Sequence, residues 1–89
     1  MKKRFPTRHP GILLMEEFIE PRKLTKYAVS KGTGISQTAL GEICRGDRNI
    51  TIETGLKLAW YFDLVEDYFI RMQYQYEIDK WKGQKAGGS

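Results

Sequence analysis

The stretch Thr25-Lys26-Tyr27-Ala28-Val29-Ser30-Lys31-Gly32-Thr33-Gly34-Ile35-Ser36-Gln37-Thr38-Ala39-Leu40-Gly41-Glu42-Ile43-Cys44 decides the fold. Thr25 is a good N-cap, and Tyr27, Ala28 and Lys31 follow at helical intervals, so a short helix is expected through Lys31. Gly34 matches a C-terminal helix stop, with the apolar Ile35 after it. Ser36 is the next N-cap and opens a second helix over Gln37 to Cys44, whose apolar stripe is Leu40, Ile43 and Cys44.

Two short helices around a glycine turn have the spacing of a helix-turn-helix, in which one helix crosses the backbone of a DNA duplex and the other lies in its major groove. The residue types suit that geometry. Thr25 and Ser36 leave exposed N–H groups at helix N-termini, which can receive phosphate oxygens, and Lys26 adds charge at the same end. Gln37 and Thr38 open the second helix on its outward side, where base edges are met. Arg45 and Arg48 flank that helix. The expected phosphate contacts are therefore Thr25, Lys26, Ser36, Arg45 and Arg48. The base-reading candidates are Gln37, Thr38 and Glu42. For Glu42 two roles stay open: accepting from cytosine N4, or pairing with Arg45 or Arg48 to aim a guanidinium.

Working outward, Gly46 ends the second helix and Arg45-Gly46-Asp47-Arg48-Asn49 forms a charged loop. Thr51 is a third N-cap, and Ile52, Leu56, Ala59 and Phe62 are expected to be the buried face of a helix ending near Asp63. Glu66 and Asp67 stand where acidic residues favour the N-terminus of a fifth helix. Phe69, Met72, Gln73 and Tyr76 share one of its faces. On the other side, Leu14, Met15, Phe18 and Ile19 mark a helix that Pro21 stops, and Pro10 suits its first turn. Residues 1–8 are expected to form a flexible basic arm, residues 9–80 the DNA-binding domain with a C-terminal dimerisation helix, and residues 81–89 a disordered tail. No strand alternation appears. The expected fold is all-α, a bundle of five helices.

Composition narrows the function. Eighty-nine residues make one small domain. The net charge of +4 is uneven. Residues 1–50 hold ten Lys/Arg against five Asp/Glu, whereas residues 51–89 hold five against six. A basic half joined to a near-neutral half implies two faces with different partners. The single cysteine, Cys44, excludes an intrachain disulfide, and with no apolar run of membrane-spanning length a cytoplasmic protein is expected. Enzyme readings are thin. His9 is the only histidine and Cys44 sits on an apolar stripe, so neither a nucleophilic pair nor a zinc site is expected. Glycine-rich phosphate loops are missing, and the pairs Glu16-Glu17 and Glu66-Asp67 point to different sides of a helix. No cofactor and no catalytic residue are expected.

His9-Pro10-Gly11, Leu14, Glu16-Glu17-Phe18, Glu20-Pro21 and Leu24-Thr25 resemble the opening of HigA-type antitoxins, within the lambda-repressor-like, XRE-type helix-turn-helix class. The resemblance continues through Tyr27-Ala28, Gly34, Glu42-Ile43, Arg45-Gly46, Arg48, Ile50-Thr51, Thr54, Leu56, Leu58-Ala59 and Tyr61-Phe62, and ends with Phe69, Gln73 and Tyr76. It covers roughly residues 9–78. The His-Pro-Gly start and the late Gln…Tyr pair are its specific marks. It implies a homodimeric repressor that binds double-stranded operator DNA of its own operon. It also implies a partner, a HigB-type (RelE-like) toxin that cleaves messenger RNA and is neutralised by binding. The alternative is an orphan XRE-type regulator without a toxin; a protein-interaction domain without DNA affinity comes after it.

The sequence departs from the family pattern in places. Gly32 and Gly55 replace small apolar residues; Gly32 marks an early helix end, and Gly55 allows close approach of another helix. Gly41 replaces a polar residue, commonly Asn, on the groove-facing side, and Ala39 replaces a frequent Arg, so no operator sequence carries over. Asp63 replaces a helix-ending Gly. Trp60, Tyr61, Tyr68, Tyr74 and Trp81 exceed what one small core hides. Trp60, Tyr61, Tyr68 and Tyr74 are the expected dimer or partner interface, against the alternative of partial burial along the last helix.

Overall fold

A computed structural model describes residues 8–88, with side-chain surroundings through residue 83. The expected arm, apart from Arg8, lies outside the described residues. Among those described, all regular structure is helical: α1 (Pro10–Leu14, running on as a π-helical turn over Met15–Ile19), α2 (Lys26–Thr33), α3 (Gln37–Cys44), α4 (Ile52–Tyr61) and α5 (Tyr68–Gly88). The five-helix, all-α expectation holds.

The helix starts follow the caps read from the sequence. Thr25, Ser36 and Thr51 adopt extended backbone, and their hydroxyls accept from the N–H groups of Ala28, Ala39 and Thr54. The stops follow as well. Gly34 takes φ 83° after α2, a left-handed conformation that glycine adopts without steric cost. Asp63 takes φ 58° after α4, where the family pattern has a glycine.

Four features differ from the expectations or add to them. First, α2 runs to Thr33, so Gly32 does not end it; a Cβ at Gly32 would overlap the Tyr61 ring. Second, the last turn of the first helix is π-helical, with Glu20 N donating to Met15 O at 2.9 Å. Pro21 lacks the N–H that would continue an α-helix, and the Arg22 guanidinium donates to Phe18 O at 3.2 Å instead. Third, Ile52 and Leu56 are exposed; the buried face of α4 is Gly55, Leu58 and Ala59, continued by Phe62. Fourth, α5 continues to Gly88, through the segment expected to be a disordered tail. No proline interrupts it, and the i,i+4 bonds Gln73–Glu77 and Gln75–Asp79 support its middle turns.

The core gathers Leu14, Val29, Leu40, Ile43, Leu58 and Phe69, all essentially inaccessible. Phe18 is its aromatic hub, 5.3 Å from both Phe62 and Phe69 between ring centres. Two glycines set how closely helices meet. A Cβ at Gly11 would overlap the Ile43 carbonyl of α3, and one at Gly55 would stand 2.8 Å from Ile70 Cγ1 of α5. Gly55 is therefore a close-approach site. α1 is thereby held against α3, and α5 against α4.

Candidate nucleic-acid interface

The N-termini of α2 and α3 are built alike. In each, the capping hydroxyl satisfies one orphan amide, at 3.0 Å for Ala28 N to Thr25 Oγ1 and 3.1 Å for Ala39 N to Ser36 Oγ. The first two amides of each helix, at Lys26 and Tyr27 and at Gln37 and Thr38, have no carbonyl of their own helix to bond. Thr25, Lys26, Ser36, Gln37 and Thr38 are all exposed around these ends. The arrangement offers paired amide donors, a positive helix end and an ammonium group to an anion.

At its other end α3 closes in a Schellman motif. Gly46, at φ 84°, donates to Ile43 O at 3.0 Å and Asp47 N donates to Glu42 O at 2.8 Å. Two arginines are anchored on this turn. Arg48 Nε donates to Glu42 Oε1 at 2.7 Å, and its Nη2 lies 2.5 Å from the same oxygen. Arg45 Nε donates to Asp47 Oδ2 at 3.2 Å. Of the two roles left open for Glu42, the structure displays the arginine pair, and the partner is Arg48. Cys44, beneath this face, is buried, and burial pushes its thiol up. It is a packing residue, not a nucleophile.

The four expected interface aromatics separate. Trp60 is 75% and Tyr74 69% exposed. Tyr61 and Tyr68 are half-buried in the chain's own core: Tyr61 stands edge-on to Phe62 beside Gly32, and Tyr68 packs against Phe18 and Phe69. Ile52 at 67%, Leu56 and Val65 are exposed too. Ile52, Leu56 and Trp60 recur every four residues, so they share one face of α4. Apolar residues on more than one side of α4 hid this face from the periodicity.

Among the described residues, no three or more His, Cys, Asp or Glu side chains converge as a metal site, and no helix is long and apolar enough to cross a membrane.

Residues 15–69, well over half of the chain, match the helix-turn-helix family. The chain belongs to that family. It is a helix-turn-helix DNA-binding regulator, not an enzyme. A curated relative, virulence-associated protein I of Dichelobacter nodosus, is 35% identical over 77 residues, 86% of this chain and 71% of the relative. An addiction-module antidote protein of the HigA family from Coxiella burnetii superposes with a TM-score of 0.80 at 28% identity, covering 96% of both chains. A Pseudomonas aeruginosa protein solved in complex with its 28-bp operator DNA superposes at 0.85 and 22% identity, over 92% of this chain and 90% of that one. The last shares the fold.

The residues that carry the resemblance to HigA-type antitoxins meet in space. The His9 ring stands edge-on to Tyr76 of α5 at 5.1 Å. Its Nδ1 accepts from Gly11 N at 2.9 Å, capping α1. Gln73, 6% exposed, accepts from Ile50 N at 2.8 Å and donates to Glu77 at 2.9 Å. The sequence marks at the two ends of the domain are thus one clamp. It holds α1, α5 and the loop that carries Arg45 and Arg48.

Proposed function

We propose that this chain is the antitoxin of a type II toxin–antitoxin module, a cytoplasmic homodimer that represses its own operon and neutralises a RelE-like, HigB-type toxin that cleaves messenger RNA. The observation that carries the DNA half is the face made by α3. Gln37 and Thr38 are exposed on it, the free amide ends of α2 and α3 lie beside it, and anchored arginines close its far end. In this assignment Gln37 and Thr38 meet base edges, and Thr25, Lys26, Ser36 and Arg48 meet phosphates. The toxin half is supported by the likeness to the HigA-family antidote protein over 96% of both chains.

A single chain offers one recognition helix, and a palindromic site needs two about 34–36 Å apart. The exposed apolar row Ile52, Leu56 and Trp60, with Tyr74 of α5, is the surface proposed to pair two copies. Tyr61 and Tyr68 support it from within.

The experiment uses the adjacent open reading frame. Its product is expected to stop growth when induced alone, and co-expression of this chain to restore growth. The duplex upstream of the two frames is expected to bind the purified protein with steep salt dependence. Upstream binding without rescue would leave a regulator and remove the antitoxin role. A monomer at micromolar concentration would remove the paired-helix arrangement.

A further inference from the structure

Thr38, Gly41 and Arg45 lie three and four residues apart, so they share one face of α3, the face proposed to enter the groove. Gly41 gives that face a bare middle. The Arg45 side chain fills it: Nη1 stands 3.5 Å from where a Cβ at Gly41 would be. Arg45 caps α3, and its side chain leans back over the preceding turn, as long side chains on helices do. Its direction is fixed at the other edge, where Nε bonds the Asp47 carboxylate. Asp47 is fixed in turn by its own N–H on Glu42 O. One edge of the guanidinium is therefore tied down. Nη1 and Nη2 have no partner among the described residues.

Arg48 differs. It gives both Nε and Nη2 to Glu42, on the flank of the helix. A phosphate contact needs only a cation at the rim of the groove. A guanidinium held on the groove-facing side, over a residue without a side chain, is placed for the groove floor. The acceptor pair that two terminal guanidinium nitrogens match is O6 and N7 of guanine.

We propose that Arg45 is a base-reading residue specific for guanine, positioned by Asp47 over the bare face at Gly41. This rests on the DNA-binding reading above. It adds to Gln37 and Thr38 a third reader that the sequence placed among phosphate contacts.

The test is selection from a randomised duplex library with the full chain and with Arg45→Ala, both checked for folding by circular dichroism. The wild type is expected to enrich a site with one fixed guanine per half-site. Arg45→Ala is expected to lose preference at that position alone. Replacing that guanine by 7-deazaguanine, which lacks the N7 acceptor, is expected to weaken the wild type roughly five- to hundred-fold and to leave Arg45→Ala unchanged. If Arg45→Ala still selects the same guanine, or loses affinity equally for selected and random duplexes, Arg45 contacts phosphate and the assignment is overturned alone. A wild type that enriches no sequence overturns it together with the DNA-binding reading.

Discussion

His9 is 7% exposed and stands at the junction of α1, α5 and the loop after α3. With Nδ1 accepting from Gly11, the neutral ring carries its proton on Nε2, which has no hydrogen-bond partner among the described residues. Burial is the main cause that lowers its pKa below the ordinary 6.5; nearby Lys80 acts the same way, whereas Asn49 and Asp47 oppose it. Protonation would also abolish the Nδ1 cap. Between the lowered value and 6.5 the unfolded chain takes up a proton that the folded chain refuses. The stability tied to His9 is therefore complete above about pH 6.5 and declines as the pH falls through that range. Thermal unfolding followed from pH 7.5 to 5 should show this decline, and His9→Asn, which keeps an acceptor for Gly11 N, should flatten it. Equal slopes would place the pH sensitivity elsewhere. Arg48 tests the other class of single-residue role. As a phosphate contact it should, on change to Ala, weaken specific and random DNA alike and reduce the salt slope by about one unit. An unchanged slope would remove it from the contacts.

α3 was legible to the residue: Ser36 capped it, Gln37 opened it and Cys44 closed it, because caps and glycine stops are local chemistry. The π turn before Glu20 was not, because it follows from how Pro21 and Arg22 settle the carbonyls behind them. Nor was the face of α4, because the pattern of apolar residues fits two orientations and α5 chooses between them at Gly55. Two of the glycines inside helices, Gly41 and Gly55, should accordingly respond in opposite directions. Gly41 has room for a Cβ, at ordinary contact distance from Arg45, so Gly41→Ala should stabilise by about 0.5–1 kcal/mol. Gly55→Ala would press on Ile70 and should cost roughly 1–3 kcal/mol. Denaturant midpoints at constant m-value decide both. A Gly55→Ala variant as stable as the wild type would mean that α5 yields at no cost.

Apart from Tyr27 on α2, the large exposed apolar residues lie outside the helix-turn-helix that carries the exposed cations. Lys26, Arg45 and Arg48 are exposed around the helix-turn-helix, whereas Ile52, Leu56, Trp60 and Tyr74 lie on α4 and α5. The acidic residues of the first helix are partly engaged: Arg8 grips Glu16 through two hydrogen bonds, while Glu17 and Glu20 are exposed. A toxin that binds messenger RNA is expected to be basic, and two basic surfaces repel. The toxin should then dock away from the DNA face, on the near-neutral half or on the acidic turn. The combined variant Lys26→Ala, Arg45→Ala, Arg48→Ala should lose operator binding in gel-shift titrations, remain dimeric by sedimentation, and still rescue growth against the toxin. None of the three side chains belongs to the buried core, so the fold should survive the change. A folded, dimeric variant that loses both activities would place toxin and DNA on one surface, and repression and neutralisation would then compete for the same residues.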